Sequence, residues 1–344
     1  MGIKEANTGS EPPVRGGDEF IIDIQTHIHW KKEGMAETTR MGHETLQWVA
    51  DFRSQIIGRK CHPWELNAST FIEDVLLNSD TAMAGLVSQD LEIIFGKKEF
   101  PPEEAREVSD MVPGRVLVLG NVYPPEGPKA LDYLQYQVEE LKIDALKLYP
   151  VGQWWMDDER IAYPIFQKCE ELGIKNICVH KGLPFLWLDW DYCRPRDIKR
   201  AARDFPNLNF LVFHAGWPFE EELICSTVFE RNVYVEIGGI MAVMRDQPLR
   251  YRHFIGNLLR AFGPDRVLWG TDAPGSGNPQ WQIEWFRRLQ FPDELIEGYG
   301  YPQLTPEIKR KIFGENTAKL FGIDVAAKRA ELVRDSVDKI KSET

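Results

Sequence analysis

A beat constrains the fold of this chain more than any single motif. Short apolar runs recur at 20–25, 82–87, 116–122, 144–149, 175–180, 208–214, 232–237 and 266–272. Amphipathic stretches at 128–141, 157–172, 194–204, 219–230 and 247–262 fall between them. Strands that alternate with helices pair in parallel through crossover connections. Eight such units in about 250 residues have the size and count of a (β/α)8 TIM barrel, an α/β fold. A doubly wound sheet would instead carry a glycine-rich phosphate loop after its first strand. Here the first run continues into His27-Ile28-His29. Gly173 stands where a helix C-cap belongs before the fifth strand, and Ser69 is placed to N-cap a helix carrying Phe71, Val75 and Leu76. Further helices are expected at 279–290 and 305–321.

The barrel accounts for 19–322. Residues 1–18 mix Gly, Pro, Glu and Ser without period and read as a flexible tail. Residues 30–68 are too long for an ordinary connection and read as a folded insertion or lid. Residues 323–344 read as a charged C-terminal tail or helix. The insertion and this tail offer surface beyond the barrel, so a homodimer is expected. The net charge of −12, from 41 basic and 53 acidic residues, argues against nucleic acid or an anionic membrane as partner. No run approaches the ~20 apolar residues of a membrane span. Five scattered cysteines outside any CxxC pair fit reduced thiols, and the expected location is cytoplasmic.

Active sites of barrels form at the C-terminal ends of the strands. There the chain places His27 and His29 (strand one), His180 (strand five), His214 (strand six) and Asp272 (strand eight). Lys147 lies in strand four and Glu236 late in strand seven. Asp23, Gln25, His27 and His29 share one face while the first strand stays regular. Imidazole and carboxylate donors suit a divalent ion, zinc first and manganese or iron as alternatives. His43, His62 and His253 fall in loops or helices and read as structural. Lys147 either pairs with Glu236 inside the barrel or faces a substrate. Several of the 11 tryptophans cluster, as at Trp154-Trp155, Trp187 and Trp190, and Trp281 and Trp285. Most read as packing. Trp154, in a loop after strand four, is placed to wall a small-molecule pocket.

Taken together, Asp23-x-Gln25-x-His27, the strand-five and strand-six histidines and Gly270-Thr271-Asp272 resemble the amidohydrolase superfamily. They are most similar to its amidohydrolase-related branch, which also holds the aminocarboxymuconate-semialdehyde and resorcylate decarboxylases. Lys-Leu-Tyr-Pro at 147–150, His-Lys-Gly-Leu-Pro at 180–184, Phe-His-Ala-Gly-Trp-Pro at 213–218, Leu-Trp-Gly-Thr-Asp-Ala-Pro at 268–274 and Asn-Thr-Ala-Lys-Leu-Phe at 316–321 carry the likeness. It spans 20–322 and implies a barrel with one metal ion. By position His27, His180 and Asp272 match ligands, and His214 matches a residue that orients substrate or moves protons. Asp272 also matches the acceptor of the proton from attacking water. The resemblance departs at strand one. Counted from Asp23, Gln25 occupies the slot of the first ligand histidine, whereas ligand chemistry favours the pair His27 and His29. In the first register Gln25 lies in the site and His29 in the following loop.

The implied activity is metal-dependent hydrolysis of an amide, ester or lactone carbonyl in a small organic substrate. The alternative is non-oxidative decarboxylation of an aromatic or dienoic acid, in which the metal binds the substrate's carboxylate or hydroxyl. A third reading, supported only by Gln25, is a non-catalytic barrel with a degraded site.

Overall fold

The computed structural model describes residues 17–29, 37–151, 153–183, 188–333 and 337. Its centre is an eight-stranded parallel sheet in the order β1 to β8. The strands are β1 (Ile21–Thr26), β2 (Thr81–Val87), β3 (Val116–Asn121), β4 (Ala145–Leu148), β5 (Asn176–His180), β6 (Asn209–Phe213), β7 (Val233–Glu236) and β8 (Val267–Leu268). The expected beat is present, with β8 shorter than its apolar run. The chain stays extended past Leu268 and closes the barrel against β1. The Ile24 amide donates to the Trp269 carbonyl (3.2 Å), the Asp272 amide to Gln25 (2.9 Å) and the His27 amide to Ala273 (2.7 Å). Asp272 therefore stands four residues beyond the strand assigned to it, on the closing seam.

Side chains alternate between two layers, as a period of two requires. Val116 and Val118, Leu146 and Leu148, and Phe210 and Val212 pack outward under the helices, while Leu117, Leu119, Ala145, Leu211 and Phe213 pack in a second cluster. The second cluster is the barrel interior. Lys147 of β4 reaches to 3.6 Å from the Phe213 ring of β6, and these strands are not neighbours in the sheet. On the outer face Trp269 is buried between Phe286 and Phe313, with ring centroids 5.2 and 4.8 Å away. Burying such a ring contributes about 3 kcal/mol and ties the seam to the closing helices.

Among the described residues of the stretch expected as an insertion, 37–68, the main element is a helix, α1 (Arg40–Ile57), capped by the Thr39 side chain and stopped by Gly58 in the left-handed region. The next helix, α2 (Ala68–Phe71), is capped by Asn67, whose side chain accepts from the Thr70 amide. Ser69 lies inside that helix, so the cap falls two residues earlier than expected. Gly173 does end its helix, with φ 78°. That helix begins at Tyr163, because 157–162 form turns. A helix over Val325–Leu332 occupies part of the charged C-terminal stretch. No helix among the described residues is long and apolar enough to cross a membrane.

Candidate active site

The site begins where β1 loses its regular register, between Asp23 and Thr26. Asp23 turns to the seam, accepting from the Thr271 amide (3.0 Å), the Thr271 hydroxyl and the Gln25 amide (3.3 Å). Burial outweighs these bonds and lifts its carboxyl to about 7. Gln25 enters the donor cluster instead. Its side-chain amide lies 3.1 Å from Asp272 Oδ1, 3.3 Å from His214 Nε2 and 3.4 Å from His27 Nε2. His27 Nε2 in turn is 2.9 Å from Asp272 Oδ1, and Gln89 reaches His27 Nδ1 at 3.1 Å.

Two of these side chains depend on unusual backbone. His214 and Asp272 both have φ near 62°, the left-handed region. For residues other than glycine this conformation costs about 1 kcal/mol or more, and the surrounding hydrogen bonds must hold it. Gly239, also with positive φ, leaves room that a Cβ would take up at 3.0 Å from Asp272 Oδ2.

The two central imidazoles have fixed tautomers. His214 Nδ1 faces the Gly238 carbonyl at 2.9 Å, and His180 Nε2 faces the Leu183 carbonyl at 3.2 Å. A carbonyl oxygen only accepts, so each of those nitrogens carries the hydrogen. The inner nitrogens, His180 Nδ1 and His214 Nε2, then present lone pairs to each other at 3.2 Å. Burial keeps both rings neutral. It pushes His180 well below the usual histidine range, with His214 and Lys147 adding to the effect. It pushes His214 down to about 4 against the pull of Asp272. Asp272 behaves in the opposite way. Burial would raise it, but the His27 hydrogen bond and the imidazoles around it hold the carboxyl below the usual carboxylate range.

Gln25, His27 and Asp272 form a triangle with edges of 2.9, 3.1 and 3.4 Å. Ligands about 2.1 Å from one ion stand about 3.0 to 3.4 Å apart, so this triangle has the edge lengths of a ligand shell. Its third corner is an amide; among the described residues no three His, Cys, Asp or Glu side chains close on one point. The amide's oxygen and nitrogen exchange by rotation. As placed, Gln25 Oε1 is buried without a hydrogen-bond partner. The donor chemistry and the facing lone pairs both fit a divalent cation.

His29 does not join the cluster. Its Nδ1 pairs with Glu99, which holds the imidazole above its usual value although burial works against the charge. Lys147 and Glu236 lie inside the barrel without forming an ion pair. Lys147 Nζ is buried with no hydrogen-bond partner, and burial lowers it to about 7. Glu236 accepts from the His214 amide (3.2 Å) and the Gly238 amide, and burial lifts it to about 8. Trp154 is buried in the core rather than set in the cavity wall, and Trp187 lies outside the described residues.

The cavity above the cluster encloses about 950 Å³, its open mouth included. Gln25, His27, His180, His214 and Asp272 lie at its polar end, and Trp48, Val49, Phe52, Tyr149, Leu183 and Val243 supply apolar wall. No lysine or arginine lines it among the described residues.

A family model described as Amidohydrolase matches residues 90–323. The chain belongs to the amidohydrolase family. No curated protein matches the sequence. An uncharacterised TIM-barrel protein from Bordetella bronchiseptica superposes with a TM-score of 0.67 at 21% identity, over 88% of this chain and 98% of its own. A 5-carboxyvanillate decarboxylase from Novosphingobium aromaticivorans, solved with manganese and 4-hydroxy-3-methoxy-5-nitrobenzoic acid, gives 0.57 at 14% identity over 90% and 98%. The 4-oxalomesaconate hydratase of Rhodopseudomonas palustris gives 0.53 at 16% identity over 91% and 98%. At these identities the likeness is one of fold, and the fold is the TIM barrel.

Some of this amidohydrolase's cavity residues went unmarked in the sequence. Trp48, Val49 and Phe52 recur at helical spacing on α1, between the Thr39 cap and Gly58, so a signal existed. The polar residues Thr45 and Arg53 on its buried positions broke the apolar period. Tyr149 ends the fourth apolar run two residues after Lys147, so its place on the catalytic face was also signalled, while Gln89 carries no spacing signal.

Proposed function

We propose that the protein is a metal-dependent hydrolase that adds water to the carbonyl of a small, uncharged ester, amide or lactone. The observation that carries this reading is Asp272, held ionised beside His27 and two neutral imidazoles, at the polar end of an apolar cavity. His27, Asp272 and the Gln25 oxygen would hold the ion, zinc first and manganese as the alternative, and His180 Nδ1 would have to move in to join them. A divalent ion there supplies an acidified water and polarises the carbonyl. With Oδ1 turned to the ion beside His27, Asp272 Oδ2, over Gly239, would be left to take the proton of the water and return it to the leaving group. His214, with Nδ1–H committed to Gly238, offers Nε2 as an acceptor that orients the water. The apolar wall excludes bulk water and strengthens these contacts.

Decarboxylation is the second reading. His29 lines the cavity protonated against Glu99, and the N–H left over from that pair is placed for a substrate carboxylate. The two separate by product. Protein loaded with zinc or manganese is given a panel of neutral aryl and alkyl esters and a panel of hydroxybenzoates. Release of acid and alcohol from the esters is expected. Release of CO2 from the hydroxybenzoates, with the esters untouched, replaces hydrolysis by the second reading.

A further inference from the structure

The proposed chemistry uses the floor of the cavity and leaves its roof unassigned. α1 supplies the roof through Thr45, Trp48, Val49 and Phe52, which share one helical face. The helix is fixed near both ends. Thr38 and Thr39 donate to the Phe95 and Ile94 carbonyls, and Arg53 binds Asp74 at 2.6 Å and the Pro274 carbonyl. On this rigid roof the Trp48 and Phe52 rings lie parallel, 5.8 Å apart with planes 10° from each other. Trp48 nevertheless keeps 46% of its surface exposed, and it lines the cavity. Deeper in, the Tyr149 ring packs against His180, and its hydroxyl is buried with no hydrogen-bond partner. A phenol hydroxyl that has no acceptor is a donor still unused. The cavity thus sets an open aromatic stack at one end and an unspent donor near the reactive cluster.

We propose that the substrate is an aryl carbonyl compound, its ring laid on the Trp48–Phe52 stack and its oxygen accepting from Tyr149. This rests on the hydrolytic reading for the reaction, but the binding claim is testable alone. Acetophenone and 2-octanone have equal carbon counts and the same ketone, and neither is hydrolysed. Calorimetric titration of the full-length protein should show acetophenone binding about tenfold tighter, the worth of a ring stack beyond buried area. Trp48→Ala should cost acetophenone about tenfold more than it costs 2-octanone and so abolish that preference, and Trp48→Phe should keep most of it. Tyr149→Phe should weaken both ketones alike. Equal affinities in the wild type, equal losses in Trp48→Ala, or no binding of either ketone overturns the proposal. Ester turnover without an aryl preference removes this subsite and leaves hydrolysis standing. An aryl preference without ester turnover does the reverse.

Discussion

His180 Nδ1 and His214 Nε2 face each other at 3.2 Å with the outer nitrogen of each ring already bonded to a carbonyl. With those tautomers neither inner nitrogen can donate to the other. The Gln25 amide lies 3.3 Å from His214 Nε2, and a divalent ion would suit the same lone pairs.

The two histidines of strand one should behave differently. Metal-to-protein stoichiometry, measured on protein loaded with zinc and then desalted, should fall to background in His27→Ala. It should stay near the wild-type value in His29→Ala, because His29 is spent on Glu99. Loss of the ion in His29→Ala alone would move the site one ligand along the chain.

Gln25→His tests the weakest corner. An imidazole is a better zinc ligand than an amide oxygen, so the variant should hold zinc about tenfold or more tightly in competition with a chelator. Unchanged affinity would take Gln25 out of the shell.

Three buried groups inside the barrel set opposing pH dependences. Asp23 and Glu236 have folded values near 7 and 8 against ordinary values of 3.8 and 4.5. Between about pH 4.5 and 7 the folded chain keeps protons that the unfolded chain has released, so stability falls as pH rises. Lys147, near 7 against 10.5, acts in the opposite sense. From about pH 8 to 10 the unfolded chain keeps a proton the folded chain has lost, so stability rises with pH, by at most about 1.4 kcal/mol per unit for one group. Urea unfolding across pH should therefore show a trough near neutrality. Glu236→Gln should flatten its acid side and Lys147→Met its alkaline side. A profile unaltered by either substitution contradicts the assignment.

Arg53→Met should cost about 3 kcal/mol in urea unfolding, because it strands the Asp74 carboxylate and frees the Pro274 carbonyl. It should also raise KM more than it lowers kcat, since Trp48 and Phe52 ride on the same helix. A loss of kcat with KM unchanged would separate α1 from substrate binding.

Much of this was legible in the chain. The apolar beat set the barrel, and strand-end position brought His27, His180, His214 and Asp272 to one face. Strand one left two registers open: the one counted from Asp23 matches the side chains found, with Gln25 in the cluster, while the expected ligand pair of His27 and His29 does not form because His29 turns to Glu99. Other features had no sequence signature. The left-handed backbone at His214 and Asp272 is imposed by tertiary bonds on residues that do not favour it. Trp154, expected in the pocket wall, went to the core, and Trp48, to which the sequence assigned no role, went to the cavity. A loop position does not say which way a side chain turns, and the polar members of α1 hid its period.

The central claim is hydrolysis by water at the polar end of the cavity. It is tested by incubating zinc- or manganese-loaded protein with a phenyl ester in H2(18O) and weighing the acid released. One heavy oxygen is expected in the acid and none in the phenol, with release abolished by Asp272→Asn. Failure to release acid, or release undiminished in Asp272→Asn, would contradict it.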